Sequence, residues 1–247
     1  MTKLHKRALI IGGSRGVGRA LALSLVGQGT HTTVVARTAQ PLEALASEDA
    51  RIDTIVLDAS IDGTASDLVK RVKPDLLILT AGFAPEMRSF FKQSWAEFSG
   101  AWNTDTKIAH SFFSAALNTP MAPGGTIVSL SSGAGLSGSR LSGSYAGAKR
   151  MQHFLTEYAQ WEGELLGRDL TFYSIIPKQL IAGSDIGLAA AQAYATANGN
   201  TVEKFMGQWE KPLEPSDVAG HVMRLIARHE PPKTNGYIVT GTGMVAA

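Results

Sequence analysis

An α/β fold built on a doubly wound, mostly parallel sheet is what this sequence predicts, and three observations carry the prediction. Short apolar, β-branched runs recur along the chain, longer helical patterns separate them, and a glycine-rich turn joins the first run to the first helix. Continuous apolar runs this short belong to strands buried on both faces, which need helices above and below the sheet. The expected architecture is a three-layer α/β/α, Rossmann-type arrangement of about seven strands in a single domain.

The elements follow in order. Ala8-Leu-Ile-Ile11 reads as the first strand, and a helix runs from about Val17 to Gln28. Thr33-Val-Val-Ala36 and Thr54-Ile-Val-Leu57 are the second and third strands. Pro74 precedes the fourth, Leu76-Leu-Ile-Leu79, and a helical stretch from Trp95 to Leu117 comes after it. Gly125-Thr-Ile-Val-Ser-Leu130 and Thr171-Phe-Tyr-Ser-Ile-Ile176 flank a second long helix, Tyr145 to Leu166, and Tyr237-Ile-Val-Thr240 closes the sheet. Between residues 184 and 210 the rhythm breaks into an Ala-rich helix (Leu188 to Ala197), a Gly-Asn interruption and a further stretch from Val202 to Trp209. A long insertion before a closing strand is expected to serve as a substrate lid rather than a linker.

Composition bounds the rest. The chain has 247 residues, 44% hydrophobic and 18% charged, which suits one ordered globular domain with a sizeable core. The net charge of +2 is scattered, so neither a nucleic-acid footprint nor an anionic-membrane patch is expected. The basic opening (Lys3, Lys6, Arg7) leads into a strand-like run rather than a signal-peptide core, and no run approaches a membrane span. The expected compartment is therefore the cytoplasm. The chain has no cysteine, which excludes disulfides, thiolate metal sites and cysteine nucleophiles together. His5, His31, His110, His153, His221 and His229 show no metal-ligand spacing, so no metal is expected.

The first strand runs into Gly12-Gly-Ser14-Arg15-Gly16-Val17-Gly18. Glycines at such a join permit a tight turn and close backbone approach to phosphate oxygens, and the helix N-terminus then faces a pyrophosphate. The end of the second strand chooses between dinucleotides: a carboxylate there bonds a ribose 2′-hydroxyl and repels a 2′-phosphate. This chain has Ala36 and Arg37 instead, with Arg15 able to converge from the glycine loop, so NADP(H) is the expected cofactor. Asp58 ends the third strand, placed either to accept from an adenine amino group or to serve as a turn carboxylate.

Tyr145-Ala-Gly-Ala-Lys149 carries the candidate chemistry. Positions four apart on a helix share a face about 5–6 Å apart, and an ammonium beside a phenol favours the phenolate. That makes a tyrosine usable as a general acid or base. Ser132, on a neighbouring strand end, would hold a substrate oxygen against it. Four residues beyond Lys149, His153 shares the helical face and is expected to pack one turn past the site.

With these pieces in order, the chain resembles the classical short-chain dehydrogenases/reductases over essentially its whole length. Gly12, Gly16 and Gly18 match the glycines of the family's TGxxxGxG loop, and Thr80-Ala81-Gly82 is similar to the NAG that ends its fourth strand. Asn103 falls where the family has its catalytic asparagine, and Ser132, Tyr145 and Lys149 match its serine and YxxxK; Ser129 and Ser131 compete with Ser132. The chain departs from the pattern at the loop's usual threonine, at Thr80 in place of Asn, and after Pro177. There Lys178 follows in place of Gly, and Ala182 stands where a threonine would meet the nicotinamide amide, with Ser184 as a substitute.

The resemblance implies reversible hydride transfer between nicotinamide and a carbonyl or alcohol carbon. Tyr145 would be the acid/base, and Ser132 would polarise the oxygen. Lys149 would bind the nicotinamide-ribose hydroxyls and stabilise tyrosinate, while Asn103 would position a water linking Lys149 to solvent. Phe83, Met87, Phe90, Leu136, Leu141, Phe205, Met206 and Trp209 are candidate pocket walls or core residues, and suggest an apolar carbonyl substrate. An NADPH-dependent carbonyl reductase is the leading expectation, and a non-catalytic NADP-binding sensor on the same fold is the alternative. The resemblance also implies a homodimer or homotetramer through the long helices.

Overall fold

The computed structural model describes residues 4–119, 121–228 and 234–247; Lys3 and His229 lie outside them. The strands are β1 (Arg7–Ile11), β2 (His31–Ala36), β3 (Ile52–Val56), β4 (Leu76–Leu79), β5 (Gly125–Leu130), β6 (Leu170–Pro177), β7 (Gly236–Thr240) and β8 (Gly243–Ala246). Between β1 and β5 lie α1 (Gly16–Gly27), α2 (Ala39–Ala46), α3 (Thr64–Val72), α4 (Trp95–Ala101) and α5 (Lys107–Asn118). After β5 come α6 (Ala134–Ser137), α7 (Gly143–Leu165), α8 (Asp185–Ala197), α9 (Val202–Met206) and α10 (Pro215–Ile226).

The sheet order is β3-β2-β1-β4-β5-β6-β7-β8. The first seven strands pair in parallel, and β8 returns antiparallel on β7, Tyr237 opposite Ala246. The expected strands are all present; β8 is an addition to them. Alternate residues of one strand serve opposite faces, as the period of two requires. Ala8 and Ile10 pack with α1, α2 and α10, while Leu9 and Ile11 pack with α3, α5 and α7. The core therefore consists of two apolar layers, one on each face of the sheet.

The chain crosses from the β3 edge back to β4 beside β1, so strand order reverses between β1 and β4. At such a switch point the loops leaving neighbouring strands diverge and open a crevice at their carboxyl ends. One local irregularity bears on the site: a π-helical turn, Trp102–Thr106, joins α4 to α5. Among the described residues, no helix is long and apolar enough to cross a membrane.

Candidate active site

Glycine geometry shapes the crevice first. Gly12 and Gly16 leave β1 with φ of 90° and 54°, the left-handed region that favours glycine. A β-carbon on Gly12 would lie 2.4 Å from the Ala81 nitrogen, and one on Gly18 would lie 2.6 Å from the Gly12 carbonyl oxygen. The loop is thus pressed against the end of β4 and the start of α1. Thr80, which stands in place of the family's Asn, ties the end of β4 to the loop: its hydroxyl donates to the Ile11 carbonyl at 3.0 Å and leans toward that of Gly12 at 3.2 Å. Helix α1 has no side-chain cap at its N-terminus. Its first-turn N–H groups accordingly face a cavity of about 1000 Å³ lined by Gly12, Ser14, Arg15, Gly16, Val17 and Gly18.

Farther along, Arg37, Asp58, Ala81 and Gly82 line the same cavity. Arg37 is exposed on its rim. Arg15 reaches across to the insertion, where Nη1 pairs with Asp185 Oδ2 at 2.6 Å on the first turn of α8. Asp58 Oδ1 accepts from the Ser60 hydroxyl at 2.7 Å and the Ser60 amide at 2.9 Å. Those bonds, aided by the Arg37 charge, hold its carboxyl below the usual range. Its contacts are those of a turn carboxylate, at a position that also lines the cavity.

Beyond the glycine loop the cavity is lined by Ser132, Tyr145, Lys149 and Pro177. The three serines at the end of β5 separate by burial. Ser129 is sealed inside the sheet, and the Ser131 hydroxyl donates to the Lys149 carbonyl at 2.8 Å. Ser132 is half-buried, and its oxygen accepts from the Ala134 amide at 3.2 Å, which leaves its own proton to donate elsewhere. Tyr145 and Lys149 meet on one face of α7, with the ammonium 5.6 Å from the phenol ring centroid.

Lys149 is buried, and three protein oxygens surround its ammonium. It donates to Gln152 Oε1 at 2.8 Å and the Leu130 carbonyl at 3.1 Å, and it forms an ion pair with Asp105 Oδ2 at 3.1 Å. Its protons are therefore committed to the protein, where the family resemblance implied ribose hydroxyls. Burial pushes the amine's pKa down, but the charges of Asp105 and Tyr145 outweigh it and leave the group raised above the ordinary lysine value.

Asn103 is not the residue that meets this lysine. It sits exposed on the π turn, and Asp105, two positions on, is fully buried against Lys149. Two positions along a helix rotate a side chain by about 200°, to the opposite face. Asp105 and Gln152 were not anticipated from the sequence. The i, i+3 spacing of Lys149 and Gln152 on a buried helical face was the available signal, whereas His153 packs its ring against Gly236, beyond the site.

The far end of the cavity is formed by the insertion. Ile186, Ala190, Tyr194, Phe205 and Trp209 line it, together with Met87 and Leu136. Tyr194 and Phe205 stack at 5.7 Å, and Trp209 meets Phe205 edge-on at 5.8 Å. The other expected wall residues lie elsewhere: Phe83 packs on Gly100, Phe90 is exposed, Leu141 is buried, and Met206 does not line the cavity. Ser184 caps α8, its hydroxyl donating to the Ile181 carbonyl at 2.8 Å and accepting from the Gly187 amide at 3.1 Å. That commitment removes it as a substitute for the missing threonine. Lys178 is exposed and lines the cavity.

Comparison with known proteins gives a consistent picture. Residues 6–180 match the family model described as short chain dehydrogenase. L-xylulose reductase of Mesocricetus auratus is 29% identical over 103 residues, which are 41% of this chain and 42% of the relative. The NADPH-dependent pterin aldehyde reductase of Arabidopsis thaliana is 32% identical over 157 residues, 58% of this chain and 63% of the relative. The chain thus spans less than two thirds of the length of either relative. Levodione reductase has a similar structure, with a TM-score of 0.83 at 21% identity over 96% of each chain. A short chain dehydrogenase from Burkholderia cenocepacia J2315 in complex with NADP gives a TM-score of 0.80 at 22% identity, again over 96% of each chain. At that identity the structural likeness is one of fold.

Proposed function

Because this chain belongs to the short chain dehydrogenase family, we propose that it is an NADP(H)-dependent oxidoreductase that reduces a ketone or other carbonyl to an alcohol. The observation that carries the reading is the convergence of Ser132, Tyr145 and Lys149 on the cavity that begins at the glycine loop. The residues fit a dinucleotide: the loop has no room for β-carbons at Gly12 or Gly18, and an uncapped helix N-terminus faces the space beside it. Arg37, exposed on the rim, would hold the 2′-phosphate, with Arg15 joining it on release from Asp185, in keeping with the absence of a carboxylate after β2. When bound, the cofactor supplies or accepts the hydride.

The remaining steps fall to the chain's own side chains. Tyr145 gives its phenolic proton to the substrate oxygen in reduction and takes it back in oxidation. Ser132 donates a hydrogen bond to that oxygen and stabilises the charge that builds there. Lys149, its protons held by protein acceptors, acts on Tyr145 through its charge. Helices α8 and α9 form the substrate lid, and their aromatic side chains favour an apolar carbonyl compound. We also infer that the chain assembles as a homodimer or homotetramer.

The test is a paired NADPH and NADH oxidation assay across ketones and aldehydes of graded size. NADPH is expected to be preferred, and Tyr145→Phe is expected to lower kcat by about 10²–10⁴. Equal use of both nucleotides overturns the cofactor assignment, and undiminished turnover in Tyr145→Phe overturns the mechanism.

A further inference from the structure

We propose that Asp105 is a positioning residue that keeps Lys149 in its ammonium form within a site too dry to hold an unpaired cation. This deepens the reading above and rests on it for its catalytic meaning. The geometry is that of a supported carboxylate. Asp105 is fully buried, and one oxygen accepts from the Phe83 amide at 2.6 Å while the other faces Lys149 Nζ at 3.1 Å. Gln152 is also fully buried and ties both partners together, accepting from Lys149 Nζ at 2.8 Å and donating to the Asp105 carbonyl at 3.3 Å.

The groups facing the amine can be named from each direction. From the π turn comes Asp105; from its own helix come Tyr145 and the uncharged Gln152; from β5 comes the Leu130 carbonyl. Asp105 is therefore the carboxylate that balances the charge. A buried amine with neutral partners sheds its proton at lower pH, because desolvation penalises the charged form. If Lys149 lost its proton, the positive charge beside the Tyr145 ring would go with it. An asparagine of the same shape could still accept from the Phe83 amide, so what Asp105 adds over it is charge.

The sign of the pH effect follows by linkage. With Asp105 present, the folded-state affinity of Lys149 for its proton is raised, so the pair's stabilisation is present below the ordinary lysine range and is lost as pH rises above it. In Asp105→Asn the folded-state affinity falls below that of the unfolded chain, because desolvation is then unopposed by a carboxylate, so that variant gains stability toward alkaline pH. The melting-temperature gap between the two proteins is expected to narrow as pH rises from about 7 to about 10. A second variant, D105N/Q152E, places a carboxylate on the same ammonium from the other side. It is expected to restore the wild-type pH dependence, which a loss of the Phe83 contact alone would not allow.

Parallel pH–stability curves for wild type and D105N, or no recovery in D105N/Q152E, overturn the inference. If D105N does not fold, D105S carries the same expectation with a smaller neutral side chain. The alkaline limit of activity is expected to move to lower pH in D105N. If no protein in the series turns over any carbonyl while the stability curves behave as stated, the proposed reaction fails and the charge pairing stands.

Discussion

Gly12 shows how narrowly single residues set this site. Its φ of 90° and a β-carbon position only 2.4 Å from the Ala81 nitrogen leave neither conformational nor spatial room for alanine. Overpacking and backbone strain each cost about 1–3 kcal/mol, so Gly12→Ala is expected to lower stability by about 3 kcal/mol or more in urea unfolding. Gly16 has a positive φ but open space at the same position, so its alanine variant should lose clearly less. Equal losses in the two would sink the close-packing account. The glycines, the serine and the YxxxK pair were legible because each is a residue type that the geometry demands at a fixed place. The partner of Lys149 was not: Asn103 and Asp105 are both polar and two positions apart, and only the π turn decides which one faces inward. A π turn adds a residue to the helical register without a composition of its own, so helical spacing misplaces every polar residue inside it.

Among elements, α8 is held at both ends. Arg15 pairs with Asp185 at its first turn, and Arg140 donates to the Ala197 carbonyl at 2.8 Å and to Asn198 Oδ1 at 3.1 Å at its last. A cation at a helix C-terminus also complements the dipole. Ser139 hydrogen-bonds the Tyr194 hydroxyl, so the segment between Ser132 and Tyr145 meets the insertion directly. Exposed contacts of this kind contribute about 1 kcal/mol or less, which leaves global stability nearly unchanged in Arg140→Ala. Local opening should respond instead: amide exchange across residues 185–209 is expected to quicken, with substrate KM rising by up to about fivefold. Unchanged exchange and KM would show that the clasp has no bearing on the pocket. The parallel strands were readable because burial on both faces forces unbroken apolar runs. Strand β8 was not, because Gly243–Ala246 is short, ends exposed, and is a strand only through its pairing with β7.

At the scale of the molecule, one exposed face of α7 is strongly apolar. Phe154, Tyr158, Trp161 and Leu165 follow one face of α7, 44%, 44%, 55% and 86% exposed. The first three rings are already in contact, at 4.7 and 5.6 Å between centroids, which makes a preformed ridge rather than scattered side chains. Contiguous exposed apolar surface of this kind marks an interaction site in a soluble protein. Closed symmetry lets a helix of this length meet its own copy, so the ridge would bury itself without a different partner. Tyr145 and Lys149 lie at the start of the same helix on its buried side, so an interface here would stiffen the element that positions them. Light scattering on the purified chain at micromolar concentration is expected to give a dimer or tetramer. Tyr158→Glu with Trp161→Glu places two charges in the ridge and is expected to shift the population to a smaller species, with circular dichroism retaining the wild-type α/β signal. A wild-type monomer would remove the interface, and a doubly substituted chain that keeps its full mass would move the interface off α7.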